Sequence, residues 1–247
     1  KLALVADGTR VLFLDTTTHK PQGPDLSLGA PVRSIAFHPN GNQFFALGDD
    51  KIYFVDLQTR KIQKSIELAP GGTFRVLAVD GQGKRLYASG NHEINDGLGA
   101  VINAQGKEFV PVTHPATGRP LTGMVSVIAT NDAILLLNRE GSLRCGLDGT
   151  GLRALSGMPS VDPLYAAHFG AHNETAIVFK HSTSPENARE RIGVLGKEKG
   201  DNYSWRELDV PGGSAIGSIN ALEFTQEDGQ PILWLGGSTG LLRLDYD

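Results

Sequence analysis

Apolar positions along this chain come in short runs, each closed by turn-forming residues. Between Val32 and Leu68 there are four of them. Val32 to His38 runs into Pro39-Asn40-Gly41-Asn42, and Gln43 to Leu47 stops at Gly48-Asp49-Asp50. Ile52 to Val55 closes on Asp56, and Ile62 to Leu68 ends at Ala69-Pro70-Gly71-Gly72. Runs of this length, rich in Val, Ile and Phe and broken by Asn-Gly and Gly-Asp, predict a four-stranded antiparallel meander.

The pattern repeats. An apolar run ending in Asp or a small residue recurs at Asp15, Asp56, Asn103, Asp148, Gly196 and Asp245, at intervals of 41, 47, 45, 48 and 49 residues. A partner strand lies upstream of each: Leu2 to Ala6, Gln43 to Leu47, Arg85 to Ser89, Ala133 to Asn138, Thr175 to Lys180 and Ile232 to Leu235. Five of these follow a further strand, at Val32 to His38, Phe74 to Asp80, Met124 to Thr130, Leu164 to Phe169 and Ile219 to Thr225. The joining segments carry Gly, Asn and Asp, which suit the positive φ of tight hairpins and bond their own backbone. No segment sustains a 3.6-residue period with helix caps, so the chain is expected to be all-β.

A four-stranded unit of this period falls where propeller blades lie, each blade needing neighbours to cover its apolar faces. The expectation is one β-propeller over residues 1–247 with about six four-stranded blades, the alternatives being seven blades or part of a larger ring. The first unit lacks its leading strand in this pattern, and the last lacks its outer strand. Without an initiating Met, the chain reads as a piece of a longer protein.

Val32 to Leu68 resembles a bacterial WD40 or YVTN-type repeat. Val55-Asp56 stands where the Trp-Asp pair of a WD40 unit would be, and Ala36-Phe37-His38-Pro39-Asn40-Gly41 matches its first strand and turn. Lys20-Pro21-Gln22-Gly23-Pro24 is similar to the linker before such repeats. The last unit, with Asp228-Gly229, Trp234, Gly236-Gly237 and Gly240-Leu241-Leu242, is similar to the two-component-regulator propeller repeat. Val101 to Gly213 follows by spacing alone, and the Gly-His to Trp-Asp network of WD40 units is absent. The resemblance implies a protein-binding scaffold within a signalling or regulatory polypeptide.

Composition narrows the partners. With 23 basic and 27 acidic residues the net charge is −4, which argues against a nucleic-acid footprint. No apolar run approaches the roughly 20 residues of a membrane-spanning helix, so no membrane insertion is expected. Cys145 is the single cysteine, which excludes an internal disulfide. The expected setting is soluble, and cytoplasmic rather than extracytoplasmic.

Candidate chemistry is sparse. In propellers that the chain resembles, the loop between second and third strands shares its face with the link between blades, and that face commonly binds ligands. Two such connections are long here: Gly90 to Gly99, with His92, Glu93 and Asp96, and Lys180 to Arg191, with His181, Glu186 and Arg189. These six are the expected binding residues for a protein partner. Counted from Asn91, the sixth residue is Asp96 where a calcium loop wants Gly, so no metal or other cofactor is expected. Gly236 to Gly240 satisfies G-x-S-x-G but joins two predicted strands, whereas a nucleophile elbow needs a strand-to-helix turn. No catalytic set converges, and a non-catalytic module is the leading reading. The alternatives are a propeller enzyme of the lyase or lactonase type, with a metal or His168 in its channel, and an extracytoplasmic small-ligand sensor. Trp205 and Trp234 are expected to pack between blades.

Overall fold

The structure, a computed structural model, describes residues 2–18, 20–68, 72–92, 98–103, 109–111, 118, 124–138, 141–169, 172–180, 190–198, 200, 202–210, 213–227 and 229–246. They form two compact units, 1–124 and 125–247. Each holds three consecutive antiparallel sheets.

In the first unit, β1 (Leu2–Asp7), β2 (Arg10–Asp15) and β3 (Leu26–Ser27) make the first sheet. The second is the predicted meander: β4 (Ser34–Phe37), β5 (Gln43–Leu47), β6 (Lys51–Asp56) and β7 (Lys61–Glu67). The third contains β8 (Gly72–Val79), β9 (Arg85–His92), β10 (Leu98–Asn103) and β11 (Phe109–Pro111). The boundary between units falls at the start of the fourth sheet, built from β12 (Met124–Ala129), β13 (Ala133–Asn138), β14 (Leu143–Gly146) and β15 (Arg153–Ala154). The fifth has β16 (Asp162–Phe169), β17 (Glu174–Lys180), β18 (Arg191–Lys197) and β19 (Tyr203–Leu208). A 3-10 turn, Gly213–Ile216, precedes the sixth: β20 (Ile219–Glu227), β21 (Gln230–Gly237) and β22 (Leu241–Asp245). The first and last sheets are thus three-stranded, as the pattern predicted.

The packing explains why the second strands read as unbroken apolar runs. Successive side chains on a strand point to opposite faces. On β5, Phe44 and Ala46 enter a cluster with Val11 and Phe13 of the first sheet, while Phe45 and Leu47 enter one with Phe74, Leu77 and Leu86 of the third. The fifth sheet repeats this: Ala176 and Val178 pack with Leu222, Phe224, Leu233 and Leu235 of the sixth, and Ile177 and Phe179 with Leu135 and Leu137 of the fourth. A strand in contact on both faces cannot alternate apolar with polar. Each such buried Val, Leu, Ile or Phe side chain contributes about 1.5–3 kcal/mol.

The recurring Asp has a physical job. Asp15 Oδ1 accepts from the Thr17 and Thr18 amides at 2.9 and 2.7 Å and from the Thr18 hydroxyl at 3.0 Å. Asp56 Oδ1 does the same for Thr59, at 2.6 and 2.8 Å, and Asp148 Oδ1 for Thr150, at 3.0 and 2.8 Å. A carboxylate at the end of β2 and β6, and two residues past β14, thereby ties the turn that follows. These bonds hold the Asp15 and Asp56 carboxyls below the usual carboxylate range, Thr18 and Thr59 supplying the largest share.

Some boundaries differ from the sequence expectation. Val32 and Arg33 lie outside β4, although their amides bond to the Gly8 and Leu47 carbonyls at 2.8 Å each. The connection expected over Gly90 to Gly99 is shorter, because Gly90, Asn91 and His92 pair with Phe74, Thr73 and Gly72, and Leu98 pairs back with Gly90. Trp205 packs against Phe179 between the fourth and fifth sheets. Trp234 donates its indole N–H to Thr225 Oγ1, 3.0 Å away on the adjacent strand of its own sheet.

Candidate functional site

Of the six predicted binding residues, His92 ends β9, where only its backbone is described. Glu93, Asp96, His181, Glu186 and Arg189 lie outside the described residues. What the structure does describe is the stem on which residues 181–189 are mounted. Lys180 Nζ stands 3.7 Å from Glu190 Oε1, and Glu190 Oε2 accepts the Ile219 amide at 2.6 Å. Arg191, the next residue and the first of β18, donates from Nη1 to Glu207 Oε2 at 3.0 Å. The two ends of the long connection are therefore joined to each other, and through Glu190 to the first strand of the sixth sheet. No feature of the sequence singled out Glu190; it read as one more charge in a mixed polar run.

A second set of polar groups gathers at the other end of these sheets, near the β12–β13 and β16–β17 turns. Asp132 accepts from Lys197 Nζ and lies 3.8 Å from Arg144 Nη2. Burial works against ionisation of Asp132, but Lys197, Arg144 and the Thr130 hydroxyl outweigh it and hold the carboxyl below its usual range. Arg144 is itself buried, 6.0 Å from the Tyr203 ring centroid. Between the fifth and sixth sheets, Tyr246 donates its hydroxyl to Glu174 Oε2 at 2.7 Å and accepts from Arg206 Nη2 at 2.5 Å, with its ring edge-on to Phe224 at 5.2 Å.

His168, the candidate channel histidine, shares a sheet face with Ala166, which packs toward the fourth sheet. Its Nδ1 lies 3.0 Å from Oγ1 of its cross-strand neighbour Thr175. Its Nε2 is buried without a hydrogen-bond partner among the described residues. Burial pushes the imidazole below its ordinary value, against the opposing pull of the Glu174 carbonyl and Asp132.

The G-x-S-x-G segment is the β21–β22 hairpin. The Ser238 and Thr239 amides, which an elbow would aim at an oxyanion, donate to the Ser218 and Ile216 carbonyls at 2.9 and 3.0 Å. Gly237 is required there, since a β-carbon would meet the Ile216 oxygen at 2.1 Å. Cys145 is buried, and burial, reinforced by Asp148, pushes its thiol up to about 11. A thiol so held is a poor nucleophile at neutral pH. Among the described residues, no three His, Cys, Asp or Glu side chains are grouped to hold a metal ion.

No family model and no curated protein matches this sequence. Solved structures do match the fold. The crystal structure of TolB from Acinetobacter baumannii superposes over 100% of the chain with a TM-score of 0.64 at 14% identity, and the chain spans 63% of the TolB chain's length. Hydrazine synthase from Kuenenia stuttgartiensis matches over 96% of the chain with a TM-score of 0.63 at 12% identity, the chain spanning 70% of its length. TolB is a β-propeller, and the fold of this chain is an all-β propeller. Likeness at these identities carries the fold and nothing further.

Proposed function

We propose that the chain is a WD40- or YVTN-like propeller acting as a non-catalytic recognition module, which presents the connection at 181–189 to a protein partner in a signalling or regulatory polypeptide. The observation that carries this reading is the stem. A polar insertion whose two ends are bonded to each other and to the neighbouring sheet can be ordered by a partner at lower entropic cost than one hung from free strand ends. The Ser238 and Thr239 amides are bonded to the Ser218 and Ile216 carbonyls rather than open to an oxyanion, and the Cys145 thiol is buried. The test is partner recovery by the whole chain against a variant in which 182–189 is replaced by a Gly-Ser segment of equal length, with Glu190 retained. A partner recovered by the first and not the second supports the reading. Equal recovery rejects the connection as a contact.

A second reading, the propeller enzyme, rests on the buried Nε2 of His168. Elemental analysis of the purified chain checks it. A stoichiometric divalent metal lost in His168→Ala would favour it, and substoichiometric metal removes its metal-dependent form.

A further inference from the structure

Two arginines face one another across the last two strands of the fourth sheet. Arg144 of β14 and Arg153 of β15 stand directly opposite in register. Arg144 is also opposite Leu135 of β13, which packs toward the fifth sheet, so both guanidinium groups are carried on that face. Like charges directly opposite on adjacent strands repel. Arg144 is buried and Arg153 exposed, so the pair runs from solvent into the junction of the two sheets.

Across that junction, Tyr203 of β19 is 7% exposed, and its hydroxyl oxygen is buried without a hydrogen-bond partner among the described residues. A buried donor left in that state is costly. The ring centroid lies 6.0 Å from the guanidinium carbon of Arg144. Burial pushes the Tyr203 hydroxyl above its ordinary value; Arg144 and Arg153 oppose that and Asp132 adds to it, so both arginines act at this oxygen. Asp132 is shared. It accepts from Lys197, the residue opposite Tyr203 on β18, and stands 3.8 Å from Arg144 Nη2, too far for a hydrogen bond. Two guanidinium forks beside an unsatisfied hydroxyl are the donors that a tetrahedral oxyanion takes up.

We propose that Arg144, Arg153 and Tyr203 form a binding site for a phosphate-class oxyanion at the junction of the fourth and fifth sheets. The guanidinium groups donate to its oxygens from one side and the Tyr203 hydroxyl from the other. The anion offsets the repulsion between the arginines and gives the hydroxyl an acceptor. Isothermal titration of the whole chain with inorganic phosphate, against chloride at matched ionic strength, tests the site. Phosphate should bind saturably and stabilise the chain in urea unfolding, as a ligand of the folded state does. Arg153→Gln and Tyr203→Phe should each weaken phosphate binding about 10–100-fold. Arg33→Gln, at an exposed arginine paired with Asp49, should leave it unchanged. Tyr203→Phe should also keep the phosphate-free chain at least as stable as the native one, because it removes an unsatisfied hydroxyl. Phosphoserine separates the sources of the anion: binding equal to phosphate's shows a phosphoryl group carried on a larger molecule and reaching in past Arg153, and binding of phosphate alone shows a free ion. A native chain without saturable phosphate binding overturns the proposal. So does an affinity that either substitution leaves unchanged, or a Tyr203→Phe chain equally destabilised with and without phosphate.

Discussion

The imidazole of His38, at the end of the second sheet's first strand, lies so close to Gly83 in the third sheet's first turn that a β-carbon at position 83 would fall 2.0 Å from Nε2. Gly83 also has φ +69°, a left-handed conformation that costs other residues about 1 kcal/mol. Its amide bonds to the Asp80 carbonyl at 2.9 Å, and Asp80 Oδ1 accepts the Lys84 amide at 2.7 Å, so the turn has little freedom to shift. Gly83→Ala should destabilise the first unit by about 2–4 kcal/mol in urea unfolding. Adding His38→Ala should return the steric part and leave the φ cost of about 1 kcal/mol. If the double variant is no more stable than the single one, the contact with His38 is not the cause.

Gly193 and Trp205 give the same relationship inside a sheet. A β-carbon on Gly193 of β18 would lie 2.0 Å from the indole, which crosses the glycine to reach Phe179 at a ring separation of 5.2 Å. Gly193→Ala should displace the indole, cost about 1–3 kcal/mol, and change the tryptophan emission. The same substitution in a Trp205→Phe background should cost less, because the smaller ring need not cover the site.

Stability should depend on pH through His168. Its folded-state value is depressed, so the unfolded chain takes up the proton first as pH falls below about 6.5. The contribution is therefore complete above that point and is lost as pH drops toward the folded-state value. Urea unfolding between pH 7.5 and pH 5 should show stability falling with acidity, and His168→Gln should flatten the slope across that window. An unchanged slope would assign the proton uptake to another group.

Tyr246 joins the end of the last strand to the fifth sheet. Tyr246→Phe keeps the ring against Phe224 but removes the hydroxyl between Glu174 and Arg206, which themselves stand 3.6 Å apart. The loss should be about 1–3 kcal/mol, since a charged acceptor gives up a bond. Arg206→Met in the Tyr246→Phe background should then cost less than in the native chain, and a double-mutant cycle measures the difference.

Asp56→Ala should release the turn after β6. The Thr59 amide and hydroxyl lose their shared acceptor, so the Thr59 amide should exchange with solvent faster while Phe45 and Phe54 in the core keep their protection. Acidification to below the usual carboxylate range should have the same effect on the native chain, because the bonds from Thr59 keep Asp56 ionised until then.

Much of the architecture was legible because the repeat writes its second and third strands in apolar residues and its turns in Gly, Asn and Asp. The stretches Gln43–Leu47 and Ala133–Asn138 are strands over the ranges their apolar runs define. Outer strands were harder. β3 and β15 have two residues each, too short for alternation to mark, whereas β7, KIQKSIE, falls within one residue of the predicted run Ile62 to Leu68 although all of it but Ile66 is exposed. Trp205 and Gly193 could be paired only once β18 and β19 were in register. The site was less legible still. Glu190 matters for the carboxylate it sends to Ile219, 29 positions away, and Asp132 for a lysine 65 positions on. Charge at long sequence separation leaves no local periodicity.

The two-sided burial of β17 means that consecutive letters of the sequence serve different masters. Ile177 answers to the sheet before its own and Val178 to the sheet after, although a single peptide bond joins them. Evolution can therefore revise one without consulting the other, whereas Val178 must keep terms with Leu233, 55 places downstream. Compensating changes in descendants of this chain should accordingly skip between repeats and rarely fall side by side.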